Sequence, residues 1–172
     1  MNMLARKITR SKWARKAYVV GEAIRADAIT QCLKTTDDAL SLWRCSGDER
    51  DVDNVFLALA LGPMNERFET MDVVVFSEGE LADAEIVSQP NDGDTAVQDL
   101  KARHLNAVQL DLEKLGRIAK TINSRIRDCE VIRRTTRQIE SLVRDADAIG
   151  RVRRDELHEK LRLKLESDGA DS

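Results

Sequence analysis

Three carboxylates in the first hundred positions have the residue type and spacing for metal-assisted chemistry. Glu78 follows soon after the β-branched run in Met71–Phe76 (MDVVVF), which predicts a central strand covered on both faces. Asp92 and Asp94 lie in QPNDGDT at 89–95, the strongest loop signal in the chain. Carboxylate oxygens are ligands for hard divalent cations, and such cations support phosphoryl transfer. One interpretation is therefore a metal-dependent phosphoryl-transfer or nuclease-like enzyme around these three residues.

The segment Phe76–Asp83 (FSEGELAD) resembles the first motif of the Toprim family. That resemblance implies a glutamate acting as general base beside a magnesium site. The family pattern places its later aspartate one residue closer than Asp83, and it requires a second Asp-x-Asp after another hydrophobic strand. The 89–95 loop follows no convincing strand. The same segment also carries the S-x-x-E pattern, and we expect Ser77 and Glu80 to cap a helix.

Other signatures of catalysis are missing from the sequence. It contains no G-x-S-x-G, no G-x-G-x-x-G and no G-x-x-x-x-G-K-[ST]. Cys32, Cys45 and Cys129 form no C-x-x-C pair, and neither His104 nor His158 is close to a cysteine in sequence, which argues against a zinc site. We predict no catalytic residue, metal or cofactor. A Cys–His pair, Cys45 or Cys129 with His104, is the alternative that sequence separation leaves open.

Arginines are concentrated in the C-terminal half of the chain. Positions 125–154 hold nine of them, with five acidic residues between them. Guanidinium groups favour bidentate contact with phosphate or carboxylate. The residues predicted to contact nucleic acid or an acidic partner are Arg133, Arg134, Arg137, Arg151, Arg153 and Arg154. No aromatic residue follows Phe76, so this half lacks a stacking platform for single strands. A solvated face or an acidic protein partner is the simpler interpretation.

A row of leucines near the C-terminus predicts a docking helix. Leu157, Leu161 and Leu165 are spaced by four within a helix expected over 154–166, while Leu163 lies off the row. A helix this short is marginal alone, so its order must come from packing against another chain or against the acidic part of this one. We predict all four leucines as partner-binding residues.

The elements that must position these residues indicate an α+β fold. We expect an N-terminal layer of three or four strands with short helices, followed by a C-terminal three-helix segment. The predicted divisions are a basic N-terminal arm (1–20), an α/β layer domain (21–110), a helical C-terminal segment (111–166) and a disordered tail (167–172).

Charge is unevenly distributed along the 172 residues, although the formal net charge is only −3. Positions 1–16 carry six basic residues and no acidic one, 17–100 carry five basic and eighteen acidic, and 101–172 carry seventeen basic and thirteen acidic. Such blocks favour electrostatically steered assembly, within the chain or with a partner.

The cysteine content and the composition of the N-terminus indicate the cellular compartment in which the protein is expected. Three cysteines without a disulfide pattern indicate a reducing environment. The basic N-terminus has no apolar stretch of a secretory signal, although its composition overlaps with that of a mitochondrial transit peptide. No apolar run approaches the length of a membrane span, so we expect a cytoplasmic protein that binds no membrane.

The interpretation that these patterns favour is a non-catalytic cytoplasmic interaction or accessory subunit, which assembles with itself or with a larger protein. The alternative is a nucleic-acid-binding regulator that uses the arginine-rich helices. The phosphoryl-transfer enzyme is a distant third.

Overall fold

A computed structural model describes residues 3–13 and 24–170, which form six strands and eight α-helices. The strands are β1 (Met3–Ile8), β2 (Leu40–Cys45), β3 (Met71–Ser77), β4 (Val87–Pro90), β5 (His104–Val108) and β6 (Val131–Arg134). The helices are α1 (Arg10–Trp13), α2 (Ala26–Cys32), α3 (Glu49–Ala60), α4 (Glu78–Asp83), α5 (Gln98–Lys101), α6 (Leu112–Arg127), α7 (Thr136–Ala148) and α8 (Glu159–Ala170), with a 3-10 turn at Arg154–Glu156.

The strands form one sheet in the order β4-β5-β2-β1-β3-β6, and every neighbouring pair is antiparallel. The α+β class is therefore confirmed. The expected three or four strands were too few, and β6 interrupts what was predicted as a three-helix segment. Both additional strands are short and lie at the sheet edges, where VSQP and VIRR show no apolar alternation that would mark them in the sequence.

The basic N-terminus contributes a central strand. Met3–Ile8 pairs with β2 on one side and β3 on the other. Its Arg6 guanidinium donates hydrogen bonds to the carbonyl oxygens of Cys32, at 2.7 and 3.1 Å, and of Ser41, at 2.8 Å. Positions 14–20 of the predicted arm lie outside the described residues.

Helices cover both faces of the sheet. Side chains alternate along each strand, so Ala5 lies in a core shared with α3, α5, α7 and α8, whereas Leu4 lies in a core shared with α1, α2, α4 and α6. The strand β3 is covered on both faces as predicted, with Val73 in the first core and Val74 in the second. Within the described ranges, no helix is long and apolar enough to cross a bilayer.

Polar side chains define the helix ends. Ser77 and Glu80 form the predicted capping box at α4, and Thr135 and Gln138 form another at α7. Gly150, with φ of +73°, ends α7. The chain then becomes extended, and Val152 forms an isolated antiparallel bridge with Val97 before α8 begins. The helix α8 begins at Glu159, after the predicted start at 154, so Leu157 precedes it, and it continues past the predicted end at 166 to Ala170.

Candidate partner-binding groove

The predicted leucine row is buried inside this chain. Leu157, Leu161 and Leu165 pack into the core beneath α3 and α7. Leu163 is 54% exposed and is the member of the set that remains available to a partner. The spacing by four correctly indicated buried leucines. It did not indicate what buries them, because packing against a partner and packing against the chain's own core require the same apolar spacing.

Most of the candidate arginines are ion-paired. Arg134 Nε lies 2.7 Å from Asp53 Oδ1, Arg151 Nη2 lies 2.6 Å from Asp99 Oδ2, Arg153 Nη2 lies 2.9 Å from Asp155 Oδ2 and Arg154 Nη2 lies 2.5 Å from Asp147 Oδ2. Two of these pairs join the basic C-terminal block to the acidic block, at Asp53 of α3 and Asp99 of α5. Part of the charge of the two blocks is thus neutralised within the chain.

Two of the six predicted contact arginines have weaker partners or none. Arg133 Nε is 3.8 Å from Asp72 Oδ1, beyond hydrogen-bond distance. Arg137 is exposed and makes no ion pair with any described residue. Of these six described arginines, only Arg133 and Arg137 lack a close carboxylate, whereas a phosphate backbone requires a continuous basic surface.

The predicted metal-binding carboxylates are used differently in the fold. Glu78 begins α4 and lies 3.5 Å from the Arg44 guanidinium. Asp92 and Asp94 are exposed in the loop after β4. Over the described ranges, no group of three His, Cys, Asp or Glu side chains could hold a metal ion.

The buried His104 is hydrogen-bonded to Ser41, which is too far away in the sequence for the pair to be predicted from it. His104 Nδ1 lies 2.9 Å from the carbonyl oxygen of Asn91, and Nε2 lies 2.5 Å from Ser41 Oγ. Because a carbonyl only accepts, Nδ1 carries the proton and the Ser41 hydroxyl donates to Nε2. Burial lowers the pKa of His104, so the imidazole is neutral at pH 7. Both ring nitrogens hold structural partners, and the ring packs edge-on to Trp43 with centroids 5.0 Å apart.

The geometry does not support the Cys–His pair that the sequence left open, with either Cys45 or Cys129. Cys45 is buried, and burial raises the pKa of its thiol to about 11, so the thiol stays protonated at neutral pH. Cys129 is exposed after α6, at a backbone φ of +60°, and makes no described contact with His104. A Cys–His pair therefore does not form in the described part of the chain.

A surface groove with an apolar floor lies between α3 and α7. It encloses about 640 Å³, and its floor is formed by Leu57, Leu142 and Ala146. Ile149, at the C-terminal end of α7, stands beside the floor and is 73% exposed. An apolar strip next to an exposed isoleucine is the type of surface that proteins use for contact with other proteins.

Charged residues line both walls of this groove. Those on the α3 wall are Glu49, Arg50 and Asp53, and those on the opposite side are Asp145 and Arg151. Arg134 pairs with Glu49 and Asp53, and Arg151 pairs with Asp99. The side chains of Arg50 and Asp145 are exposed and have no ion-pair partner among the described residues. Among the described residues that line the groove, Arg50 is therefore a cation and Asp145 an anion without an ion-pair partner.

No single feature of the sequence marked this surface. Arg50 and Asp145 are 95 positions apart, and Ile149 fits the apolar periodicity of α7. Comparison of the chain with protein-family models, with curated proteins and with solved structures finds no match.

Proposed function

We propose that the protein is a non-catalytic interaction subunit, that its contact surface is the α3–α7 groove, and that a second copy of the chain occupies this surface. The observation that carries the proposal is the placement of two unpaired, opposite charges on the two walls. Arg50 lies on α3 and Asp145 lies on α7, and both line the groove together with Leu57, Leu142 and Ala146.

This charge arrangement is self-complementary. In a twofold symmetric contact, residue i of one protomer meets residue j of its partner, and j then meets i. If Arg50 meets the partner's Asp145, symmetry also places Asp145 against the partner's Arg50. Both free charges are satisfied at once, and neither has a described partner within the chain.

The apolar strip provides the driving force for the same contact. Leu142 is half-buried and Ile149 is largely exposed in the single chain. Burying a side chain of this size from water stabilises by about 1.5–3 kcal/mol. An apolar centre flanked by charged residues matches the common anatomy of protein interfaces.

The cytoplasm is the compartment we propose for this assembly. Cys32 and Cys45 are buried as free thiols and Cys129 is an exposed one. An exposed free thiol is compatible with a reducing compartment and prone to oxidation elsewhere.

The alternative, a nucleic-acid-binding regulator, ranks second because of the ion pairs. Phosphate binding gains its free energy from basic groups that release counterions from the nucleic acid. Arg134, Arg151, Arg153 and Arg154 are each held by a carboxylate of this chain. Binding a phosphate would first require breaking those pairs.

Charge reversal in the groove tests the proposal. Sedimentation velocity of the full chain over a concentration series should show a monomer–dimer equilibrium. Arg50→Glu and Asp145→Arg should each weaken dimerisation by at least about tenfold, because each places like charges together twice in a symmetric contact. The double variant Arg50→Glu/Asp145→Arg should restore the dimer, since the exchanged charges are again complementary.

The matched control is Lys120→Glu, a charge reversal at an exposed position of α6 on the opposite face of the sheet. It should leave the dimerisation constant unchanged. A chain that is monomeric at all concentrations would refute the second copy as occupant. Dimerisation that none of the groove variants alters would refute the groove as the contact surface.

A further inference from the structure

A second cleft lies on the sheet away from the α3–α7 groove, where β1 ends and β3 begins. It encloses about 530 Å³, within the range of small-molecule sites. Its lining consists entirely of polar and charged residues, namely Thr9, Arg10, Ser11, Thr70, Asp72 and Arg133. Such a lining suits a small polar ligand better than an apolar peptide.

Asp72 is the unusual member of this set. It lies on β3, paired across the sheet with Ile8 on one side and Arg133 on the other, and is only 8% exposed. Its Oδ1 atom is buried and has no hydrogen-bond partner. Buried carboxylate oxygens without a donor are rare, because the lost hydration is not replaced.

The nearest cation does not satisfy this oxygen. Arg133 Nε is 3.8 Å from Asp72 Oδ1, whereas N–H···O hydrogen bonds have donor–acceptor distances of about 2.7–3.2 Å. The Arg133 side chain is 55% exposed toward the cleft, and this long contact is its one described ion pair. Carboxylate and guanidinium thus flank the same space, each with unused hydrogen-bonding capacity.

Further free groups surround that space. Arg10 has no ion-pair partner in the described chain, and neither the Thr9 nor the Ser11 hydroxyl has a described hydrogen-bond partner. Thr70 Oγ1, in contrast, accepts from the backbone N–H of Thr136 at 3.2 Å. The cleft therefore offers one buried anionic acceptor, two cationic donors and two hydroxyls.

We propose that this cleft binds a small zwitterion, with its ammonium group donating to the Asp72 carboxylate and its anionic group held by Arg10 and Arg133. A buried carboxylate is best matched by a charged donor, since charge-assisted hydrogen bonds are the stronger class. Guanidinium groups are the preferred partners of planar carboxylates and of phosphates. The ligand class is thus an ammonium group close to a carboxylate or phosphate, as in free α-amino acids and aminoalkyl phosphates.

Thermal unfolding and isothermal titration calorimetry of the full chain test this proposal. The probes are the individual L-α-amino acids and phosphoethanolamine, with acetate, inorganic phosphate and methylammonium as separate halves of the zwitterion. At tenfold excess over its Kd, a bound probe should raise Tm by about 3–6 °C for a chain of this size. The two zwitterion arms distinguish a carboxylate ligand from a phosphate ligand.

Two substitutions locate the site. Asp72→Asn and Arg133→Gln should each weaken binding of the best probe by about 10–100-fold, the usual effect of losing a charged hydrogen-bond partner. Without ligand, Asp72→Asn should unfold at the same temperature or higher, because the unsatisfied charge is gone. The control is Arg153→Gln, since Arg153 is 53% exposed, nearly matching Arg133, and it lies outside the cleft.

Three outcomes would overturn the proposal. The first is that no zwitterion produces heat or a change in Tm. The second is that Asp72→Asn binds as tightly as the natural chain. The third is that acetate or phosphate alone binds as tightly as the matching zwitterion, which would leave Asp72 without a role. None of these results depends on the dimerisation test, because the two surfaces share no residue.

Discussion

Gly93 lies so close to the indole ring of Trp43 that a Cβ built on Gly93 would be 2.4 Å from Trp43 Cη2. The same Cβ would be 2.8 Å from the Cβ of His104. The loop that carries Asp92 and Asp94 therefore requires a glycine at the position between them, because a larger residue would not fit. It closes over Trp43 and His104, and the Asn91 carbonyl in the same loop fixes the His104 ring.

We expect Gly93→Ala to destabilise the fold by about 1–3 kcal/mol, the usual cost of forcing extra volume into a packed site. Urea denaturation gives the free energy of unfolding. Gly116→Ala is the matched control, because nothing lies within 4 Å of its added Cβ, and it should stabilise α6 by about 0.5–1 kcal/mol. Equal effects of the two substitutions would show that the close packing on Trp43 is not significant.

The neutral state of His104 predicts a pH dependence of stability. Burial holds the folded-state pKa of His104 below the ordinary value of 6.5. The unfolded chain therefore binds the proton at a higher pH than the folded chain does. The free energy of unfolding should be fully maintained above about pH 7 and should decrease as the pH falls below about 6.5, by at most about 1.4 kcal/mol per pH unit.

Urea denaturation between about pH 5.5 and 7.5 measures this slope. His104→Gln should remove most of it. His158→Gln is the control, because it removes the chain's other histidine and leaves the contacts of His104 with Ser41 and Asn91 in place. A slope that disappears in His158→Gln and persists in His104→Gln would contradict the assignment.

The pairing of Arg134 predicts a structural role for a residue that the sequence pattern assigned to contact with nucleic acid or an acidic partner. Its side chain is only 13% exposed, bonds Asp53 and lies 5.7 Å above the centre of the Phe56 ring. We expect Arg134→Ala to destabilise the fold by about 1–3 kcal/mol, because Asp53 loses its donor. Arg137→Ala, at an exposed position without a described ion pair, should change stability by no more than about 0.5 kcal/mol. Thermal unfolding of both variants measures the difference in stability. Equal losses of stability would argue against a structural role for Arg134.

The sequence predicted best where local chemistry determines structure. The S-x-x-E pattern at Ser77 located the start of α4, because the side chain and backbone that form the cap are neighbours in the chain. The run in Met71–Phe76 located β3, since nearly continuous apolar residues are typical of a strand covered on both faces. Asp72 is the charged exception in this run.

The missed elements are those whose stability comes from distant partners. The sequence pattern assigns Arg6, which lies in β1, to a basic N-terminal arm. In the fold it is buried, and its charge is accommodated by carbonyl oxygens of Cys32 and Ser41, more than twenty positions away. Burial lowers the pKa of Arg6 to about 10, which still leaves it charged at neutral pH. Neither candidate ligand surface could be predicted, because each combines charges from positions far apart in the sequence.

The contrast between Leu161 and Leu163 tests whether α8 is a core element. Leu161 is fully buried in the chain's own core, so Leu161→Ala should destabilise the fold by about 2–5 kcal/mol. Leu163→Ala should change stability by no more than about 0.5 kcal/mol, since the side chain is mostly solvated. Chemical denaturation of the two variants provides the measurement. A stable Leu161→Ala variant with weakened self-association would instead place the leucine row at an interface.

The last prediction concerns nucleic acid. Because four of the six candidate arginines are paired with carboxylates, we expect duplex DNA or RNA to bind no more tightly than about 10 µM at physiological salt, the range of non-specific contact. Mobility shifts over a salt series measure this affinity. Arg133→Glu/Arg137→Glu reverses the two arginines with weak or no pairing and should leave any residual binding within a few-fold. Sub-micromolar binding that decreases steeply with salt, and that this double variant abolishes, would establish the arginine-rich segment as a phosphate-binding surface and would displace the interaction-subunit proposal.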